Sequence, residues 1–194
     1  LNQPSELNVS ITDIVNVSCY GNHDASISIN VSGGLPQYQF QWNTGSSDES
    51  LDNLGIGDYY LVVYDLNSCK DSTEIITISQ PNPLLLNLEV FQKISCFDYE
   101  DGIIVSNISG GNEPYNFLWS NGQIESNISN IATGEFSLEI IDSNNCETNA
   151  SIFLDQPAEI IINAEIQNAS CVDNYDAYIA LSVDSGFAPY SYQW

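Results

Sequence analysis

Five cysteines are the residues of this sequence whose type and spacing could do chemistry. Cys19 and Cys69 are 50 positions apart, and Cys96 and Cys146 repeat that spacing. We therefore predict one disulfide inside each complete repeat, Cys19–Cys69 and Cys96–Cys146, with the partner of Cys171 beyond the end of the sequence. A loop of this size would contribute about 4 kcal/mol to stability. Disulfides also indicate an oxidising compartment.

Other uses of the cysteines are free buried thiols, zinc ligands or a catalytic thiol. Zinc sites need clustered cysteine and histidine ligands, and the only histidine of the chain is His23. A cysteine–histidine nucleophile is also disfavoured, because Glu100 and Tyr175 stand at the counterpart positions of His23. We therefore expect no catalytic residue and no enzymatic activity.

Aspartates recur at fixed distances from the cysteines and offer the hard oxygen ligands that Ca²⁺ prefers. The alternative is that they cap turns through side-chain to backbone hydrogen bonds, which we favour because the spacing does not match an EF-hand loop. A glycosidase carboxylate pair is disfavoured, because the same residues appear once in every repeat. The candidate calcium ligands are Asp24, Asp65, Asp98, Asp101, Asp142, Asp173 and Asp176.

The chain is strongly acidic, with two basic residues against 26 acidic ones and a formal net charge of -24. Such a surface repels phosphate backbones and anionic lipid, so nucleic acid and bare membrane are poor partners. No apolar run approaches the roughly 20 residues that span a bilayer, so we expect no membrane insertion in this segment.

Three tandem copies of one pattern organise the sequence. Cys19 to Trp42, Cys96 to Trp119 and Cys171 to Trp194 align without gaps, and each repeat closes on a Gln-Pro pair. We predict a first repeat at 1–80, a second at 81–156 and the first half of a third at 157–194. Because half a module cannot close a sandwich, we expect the sequence to be part of a longer protein.

Short alternating runs separated by glycine and proline predict strands. Ile27, Ile29 and Val31 alternate with polar residues, and Tyr38 to Trp42 and Tyr59 to Val63 do the same. No segment shows helical periodicity. The predicted fold is therefore all-β, built of tandem immunoglobulin-like (PKD-like) β-sandwich repeats, with Tyr38, Phe40 and Trp42 filling the core.

The order of these features resembles the SprB repeat of very large surface adhesins in gliding Bacteroidota. The shared pattern is a cysteine, a Gly/Asp-rich turn, Ser-Gly-Gly before Tyr-x-Phe-x-Trp, then Gly-x-Tyr, Asp-x-Asn-x-Cys and Gln-Pro. The resemblance implies type IX secretion, display on the bacterial cell surface, and adhesion with gliding motility. Asp71-Ser72-Thr73 resembles the short O-glycosylation signal of these bacteria, which makes Ser72 a candidate acceptor.

We therefore expect a structural stalk or filament that extends a binding tip of a secreted adhesin. Its expected partners are neighbouring repeats of the same chain, an extracellular surface or glycan at the tip, and the cell-surface motility or secretion machinery. The alternatives are a repeated module that binds glycans or Ca²⁺, and an accessory region of a secreted hydrolase. No cofactor is expected other than Ca²⁺.

Overall fold

The computed structural model describes residues 3–194, which form strands joined by turns. No helix in this range is long and apolar enough to cross a membrane. The strands are β1 (Asn8–Val15), β2 (Ala25–Ser32), β3 (Gln39–Trp42), β4 (Leu51–Leu54), β5 (Gly57–Tyr59), β6 (Leu61–Tyr64), β7 (Lys70–Ser72), β8 (Ile76–Ile78), β9 (Leu85–Gln92), β10 (Gly102–Ser109), β11 (Asn116–Trp119), β12 (Ile128–Ile131), β13 (Gly134–Ile141), β14 (Glu147–Leu154), β15 (Ile162–Gln167) and β16 (Tyr178–Val183).

Each complete repeat has two main three-stranded sheets. In the first repeat the strand orders are β1-β2-β4 and β3-β6-β7, and β5 pairs with β8. The second repeat follows the same plan, with orders β12-β10-β9 and β11-β13-β14. β15 and β16 pair in the third repeat as β1 and β2 do in the first. This arrangement confirms the prediction of tandem immunoglobulin-like β-sandwich repeats.

Alternation of apolar and polar residues places one face of each strand in the core of the first repeat. Ile27, Leu61 and Val63 are fully buried, and Trp42 is 2% exposed. Tyr38 and Phe40 lie half-buried against this cluster, and the Trp42 indole N–H donates to the Asp48 carbonyl at 2.8 Å. A buried indole thus keeps a polar partner, and the predicted aromatic contribution to the core is confirmed.

The second repeat buries the same positions. Its most deeply buried apolar side chains are Ile104, Trp119, Ile128, Leu138, Ile140 and Leu154. The Trp119 indole N–H donates to the Glu125 carbonyl at 2.9 Å, as the indole of the first repeat does at its own position. The repeated sequence pattern therefore produces the same side-chain environment twice.

The described chain divides into two compact units that do not follow the repeat pattern. Unit 1 contains Leu1–Leu85, Ser109–Tyr115 and Ile141–Thr148, and unit 2 contains Leu86–Ile108, Asn116–Ile140 and Asn149–Trp194. Two loops of the second repeat thus belong to the same unit as the whole of the first repeat. The repeat boundaries after residues 80 and 156 stay sequence predictions.

Candidate functional site

A tight turn follows the first cysteine of every repeat, and we call it the cysteine turn. In the first repeat it spans Cys19–Asn22, and the Asn22 N–H donates to the Cys19 carbonyl at 3.1 Å. Its third residue has a positive φ of 80° at Gly21, 62° at Asp98 and 70° at Asp173. Glycine and aspartate tolerate this left-handed backbone. This explains why the position is glycine in the first repeat and aspartate in the other two.

Asp24 closes the cysteine turn of the first repeat. Its carboxylate accepts hydrogen bonds from the hydroxyl and the N–H of Ser18, the latter at 3.0 Å. These bonds, the hydroxyl first, hold the pKa of Asp24 below its ordinary value because they stabilise the ionised form. The serine lowers the pKa of the aspartate by the same cause in the pairs Asp101–Ser95 and Asp176–Ser170.

The closing Gln-Pro pair of a repeat also holds its cysteine turn. The Gln80 side-chain oxygen accepts the Gly21 N–H at 2.9 Å, and the Gln156 side-chain oxygen accepts the Asp98 N–H at 3.0 Å. The cysteine turn therefore lies at the end of the repeat where the next repeat begins. Sequence reasoning gave these glutamines no role, although their recurrence before proline was the available signal.

A second recurring loop ends at the second cysteine, and we call it the Asp loop. In the first repeat it spans Asp65–Cys69. The Asp65 carboxylate is 5% exposed and accepts the N–H groups of Leu35 at 3.0 Å, Asn67 at 2.9 Å and Cys69 at 2.8 Å. The Leu35 N–H contributes most to holding the pKa of Asp65 below its ordinary value.

The Asp loop of the second repeat, Asp142–Cys146, has the same geometry. The Asp142 carboxylate is 1% exposed and accepts the N–H groups of Asn112, Asn144 and Cys146 at 2.8 to 2.9 Å. Both aspartates therefore fasten the loop that carries the second cysteine to the Gly-Gly turn after the second strand of their repeat.

Five of the seven candidate calcium ligands act as hydrogen-bond acceptors for turns. Within residues 3–194 no group of three or more His, Cys, Asp or Glu side chains is placed to hold a metal ion. Asp24, Asp65, Asp101, Asp142 and Asp176 each accept at least one backbone N–H. The capping interpretation explains their recurrence, and calcium binding stays a matter for experiment.

Calcium is expected to leave the thermal unfolding midpoint of the chain unchanged. The carboxylate oxygens of Asp65 and Asp142 already accept backbone N–H groups and are withdrawn from solvent, so a cation would have to displace those bonds. The measurement is thermal unfolding in millimolar calcium and in EDTA. Magnesium at matched ionic strength controls for screening of the acidic surface. A midpoint several degrees higher in calcium alone would contradict the prediction and point to Asp98 or Asp173.

One disulfide joins the two kinds of loop. Cys19, in the cysteine turn of the first repeat, is bonded to Cys146, in the Asp loop of the second, with 5.6 Å between their Cα atoms. The Asn144 side-chain amide adds a hydrogen bond to the Ser18 carbonyl at 2.9 Å. All of these residues belong to unit 1. The bond therefore connects consecutive repeats.

This bond shows that the predicted pairs Cys19–Cys69 and Cys96–Cys146 are wrong. The eight residues of β2 lie between the cysteine turn and the Gly-Gly turn, to which the Asp loop is fastened. At about 3.3 Å per residue they span about 26 Å, whereas a disulfide needs Cα atoms within about 7 Å. The two cysteines of one repeat thus lie at opposite ends of the sandwich.

The remaining predicted positions are exposed. Cys69, Cys96 and Cys171 are free and exposed, and the predicted partner of Cys171 lies outside the sequence. Ser72 is exposed at the end of β7, beside Asp71, whose carboxylate accepts the Val9 N–H at 2.8 Å. Glycosylation of Ser72 stays a prediction.

Lowering the pH is expected to remove the stabilisation that Asp24 gives the cysteine turn. Because its pKa is below 3.8 in the folded chain, this contribution is complete above about pH 4 and is lost as the pH falls through the lowered pKa. We expect the difference in unfolding midpoint between the unaltered chain and Asp24→Asn to be constant near neutral pH and to shrink below about pH 4. Thermal unfolding followed by circular dichroism measures it.

The control for this measurement is Asp52→Asn, which removes an exposed carboxylate from β4. Both variants lose one negative charge, so the general repulsion among the acidic residues changes equally. A difference for Asp24→Asn that persists unchanged at about pH 2 would contradict the assignment, because nearly all carboxylates are protonated there.

Comparison with known proteins places the repeats in a family. The family model of the SprB repeat matches residues 11–47, 88–124 and 163–194, which together make up more than half of the chain. No curated protein matches the chain.

Three solved structures are similar to this chain at low sequence identity. The three N-terminal domains of the highly immunogenic outer capsid protein (Hoc) of bacteriophage RB49 are 11% identical, with 93% of this chain and 69% of that chain covered and a TM-score of 0.43. A C-terminal 282-residue fragment of intimin, solved with the intimin-binding domain of the translocated intimin receptor, is 14% identical, with coverages of 80% and 66% and a TM-score of 0.39. The amphioxus IgVJ-C2 molecule is 14% identical, with coverages of 79% and 98% and a TM-score of 0.31.

The three family matches fall one on each copy of the repeat, and each contains the cysteine turn. The matches therefore cover the first cysteine of every repeat, and they recur at the spacing of those cysteines. The chain belongs to the SprB repeat family and is a repeat-containing region of the type found in secreted surface adhesins.

Proposed function

We propose that these repeats are a structural, non-catalytic stalk of a secreted adhesin on the bacterial surface, and that they hold a binding tip away from the cell. The observation that carries the proposal is the bond between Cys19 of one repeat and Cys146 of the next. A stalk must transmit tension along the chain, and a covalent bond between consecutive repeats adds a second path for that tension.

The charge of the chain supports the same role. With a net charge of -24, neighbouring stalks repel one another, and the repulsion keeps them soluble and separate. The Gln-Pro junctions restrict the backbone between repeats, because proline fixes its own φ and limits the residue before it. The tip would contact an extracellular surface or glycan, and the cell-surface secretion and motility machinery would export and move the whole protein during gliding.

Pulling on single chains tests the mechanical role. In the oxidised chain the disulfide spans 127 positions, and this segment cannot extend under force. At about 3.5 Å per extended residue, we expect reduction to lengthen the fully stretched chain by roughly 440 Å. The control is Cys69→Ser, which leaves the bond intact. An oxidised chain that stretches as far as the reduced one would contradict the proposal.

A binding assay separates the stalk from a repeated binding module. The purified oxidised chain is passed over glass and over polysaccharide-coated surfaces at several concentrations. A stalk is expected to show no saturable binding, because the binding group lies at the tip. Saturable binding that grows with the number of repeats would overturn the proposal and assign the ligand to the modules themselves.

A further inference from the structure

Three cysteines of residues 3–194 carry no disulfide, and all three are exposed. Each occupies a repeat position whose counterpart is bonded. Cys69 is the counterpart of Cys146, because both are the second cysteine of their repeat. Cys96 and Cys171 are the counterparts of Cys19, because each is a first cysteine. Each free thiol therefore occupies a position that forms a disulfide in another repeat.

The backbone presents Cys69 as it presents the bonded Cys146. The Asp65 N–H donates to the Cys69 carbonyl at 2.9 Å, and the Asp142 N–H donates to the Cys146 carbonyl at 3.0 Å. The residue before the cysteine is left-handed in both loops, with φ of 64° in the first and 61° in the second. The loop that carries Cys69 thus has the same backbone conformation as the loop that carries the bonded Cys146.

The cysteine turn at Cys96 is likewise formed without its partner. The Tyr99 N–H donates to the Cys96 carbonyl at 3.2 Å, which matches the turn at Cys19. The Asp98 N–H is held by the Gln156 side chain, as the equivalent N–H of the first repeat is held by Gln80. Unit 2 therefore contains a fully formed cysteine turn whose cysteine is not bonded.

A cleft in unit 1 adjoins Cys69. It measures about 500 Å³, and its lining includes Gln3, Pro4, Leu7, Asp65, Cys69 and Lys70. The corresponding cleft beside Cys146 measures about 420 Å³, and there the cysteine turn of the preceding repeat forms one wall through Cys19, Tyr20 and Asn22. At Cys69 no cysteine turn lines the cleft. The occupant that fits is the same turn from another repeat.

We propose that disulfides run from every repeat to the next, the first cysteine of each repeat bonding the second cysteine of the one after it. Cys69 then forms a disulfide with the cysteine of the cysteine turn in a preceding SprB repeat. Cys96 forms one with the cysteine of the Asp loop in a following repeat. The pattern does not depend on whether the repeats act as a stalk or as binding modules.

The bond forms by thiol–disulfide exchange with a small disulfide such as oxidised glutathione. The thiolate of one cysteine attacks the small disulfide and releases one glutathione thiolate, which leaves a mixed disulfide on the protein. The second cysteine attacks the protein sulfur of that mixed disulfide and releases the other glutathione. The two cysteines are oxidised, the small disulfide is reduced to two thiols, and the protons of the cysteines pass to them through solvent.

The test adds a preceding repeat to the whole chain. A copy of residues 81–153 is placed before Leu1, because Leu1 to Pro4 is the counterpart of Leu154 to Pro157. The copy carries Lys93→Arg so that its peptides have a distinct mass. After oxidation in a glutathione buffer and digestion with pepsin, mass spectrometry maps the bonds. We expect the first cysteine of the copy to be joined to Cys69, with Cys19 still joined to Cys146.

Two controls make the map decisive. Cys69→Ser in the extended chain is expected to leave the first cysteine of the copy as a free thiol. An extension after Trp194 by a copy of residues 120–156 tests Cys96 independently and is expected to join the added cysteine to Cys96. A first cysteine of the copy bonded to its own second cysteine, or an added cysteine bonded to Cys171 or left free, would overturn the proposal.

Discussion

Replacing Gly33 by alanine is expected to destabilise the chain by about 2–5 kcal/mol. Gly33 has a φ of 74°, and a Cβ atom built on it would lie 1.8 Å from the Glu6 carbonyl oxygen. The left-handed backbone alone costs a non-glycine residue about 1–2 kcal/mol, and relieving a clash in a packed site costs about 1–3 kcal/mol more. Because the clashing atom belongs to the backbone, no side-chain rotation relieves it.

The matched control for Gly33→Ala is Gly45→Ala. Gly45 also has a positive φ, of 87°, but a Cβ atom there would meet nothing within 4 Å. It therefore carries the backbone strain without the clash, and we expect a loss of about 1–2 kcal/mol. Denaturant unfolding of both variants measures the difference. Equal losses of unfolding free energy in the two variants would contradict this prediction. They would show that the turn before β3 can move away from the Glu6 carbonyl without further cost.

The strands and the core could be predicted from sequence because both depend on local alternation. Ile27 and Ile29 face the core and are buried, and Trp42 at the end of β3 is buried as well. A period of two places every second side chain on the same face of a sheet. With one face buried, a slip of one residue would expose the whole apolar set. Three copies of the pattern made the assignment stronger still.

The disulfide pairing could not be read from cysteine spacing, because spacing does not say at which end of a sandwich a loop lies. Strand direction does. Between Cys19 and Cys69 the chain crosses the sandwich from one end to the other along β2 and crosses back through β3 and β4. It then crosses a third time through β5 and β6. Because three is an odd number of crossings, Cys69 lies at the end of the sandwich opposite Cys19. The sequence already contained three alternating runs between the two cysteines, and counting them would have excluded a bond within the repeat.

The hydrogen bonds of Asp65 and Gln80 illustrate a second limit of sequence reasoning. A recurring acidic side chain supports both a metal ligand and a cap, and the choice depends on whether backbone N–H groups point at it. For Asp65 three such groups do, from Leu35, Asn67 and Cys69. The partner of the Gln80 side chain lies 59 positions away at Gly21, beyond the reach of any local pattern.

Replacing Cys146 by serine is expected to reduce the free energy of unfolding of unit 1 by about 5 kcal/mol. The bond closes a loop of 127 positions, and the chain-entropy model assigns about 5 kcal/mol to a loop of that length. Denaturant unfolding under non-reducing conditions measures the loss, and the same unfolding in a thiol reductant should bring the unaltered chain to the level of Cys146→Ser.

The control for Cys146→Ser is Cys69→Ser, which removes the second cysteine of the first repeat. Cys69 is exposed and free, so its replacement is expected to change the free energy of unfolding by no more than about 0.5 kcal/mol. Bonds within repeats would make both variants destabilising, because each would then break one bond. A large loss for Cys69→Ser would therefore contradict the pairing between consecutive repeats. A loss confined to Cys146→Ser would leave Cys69 available for the cysteine turn of a preceding repeat.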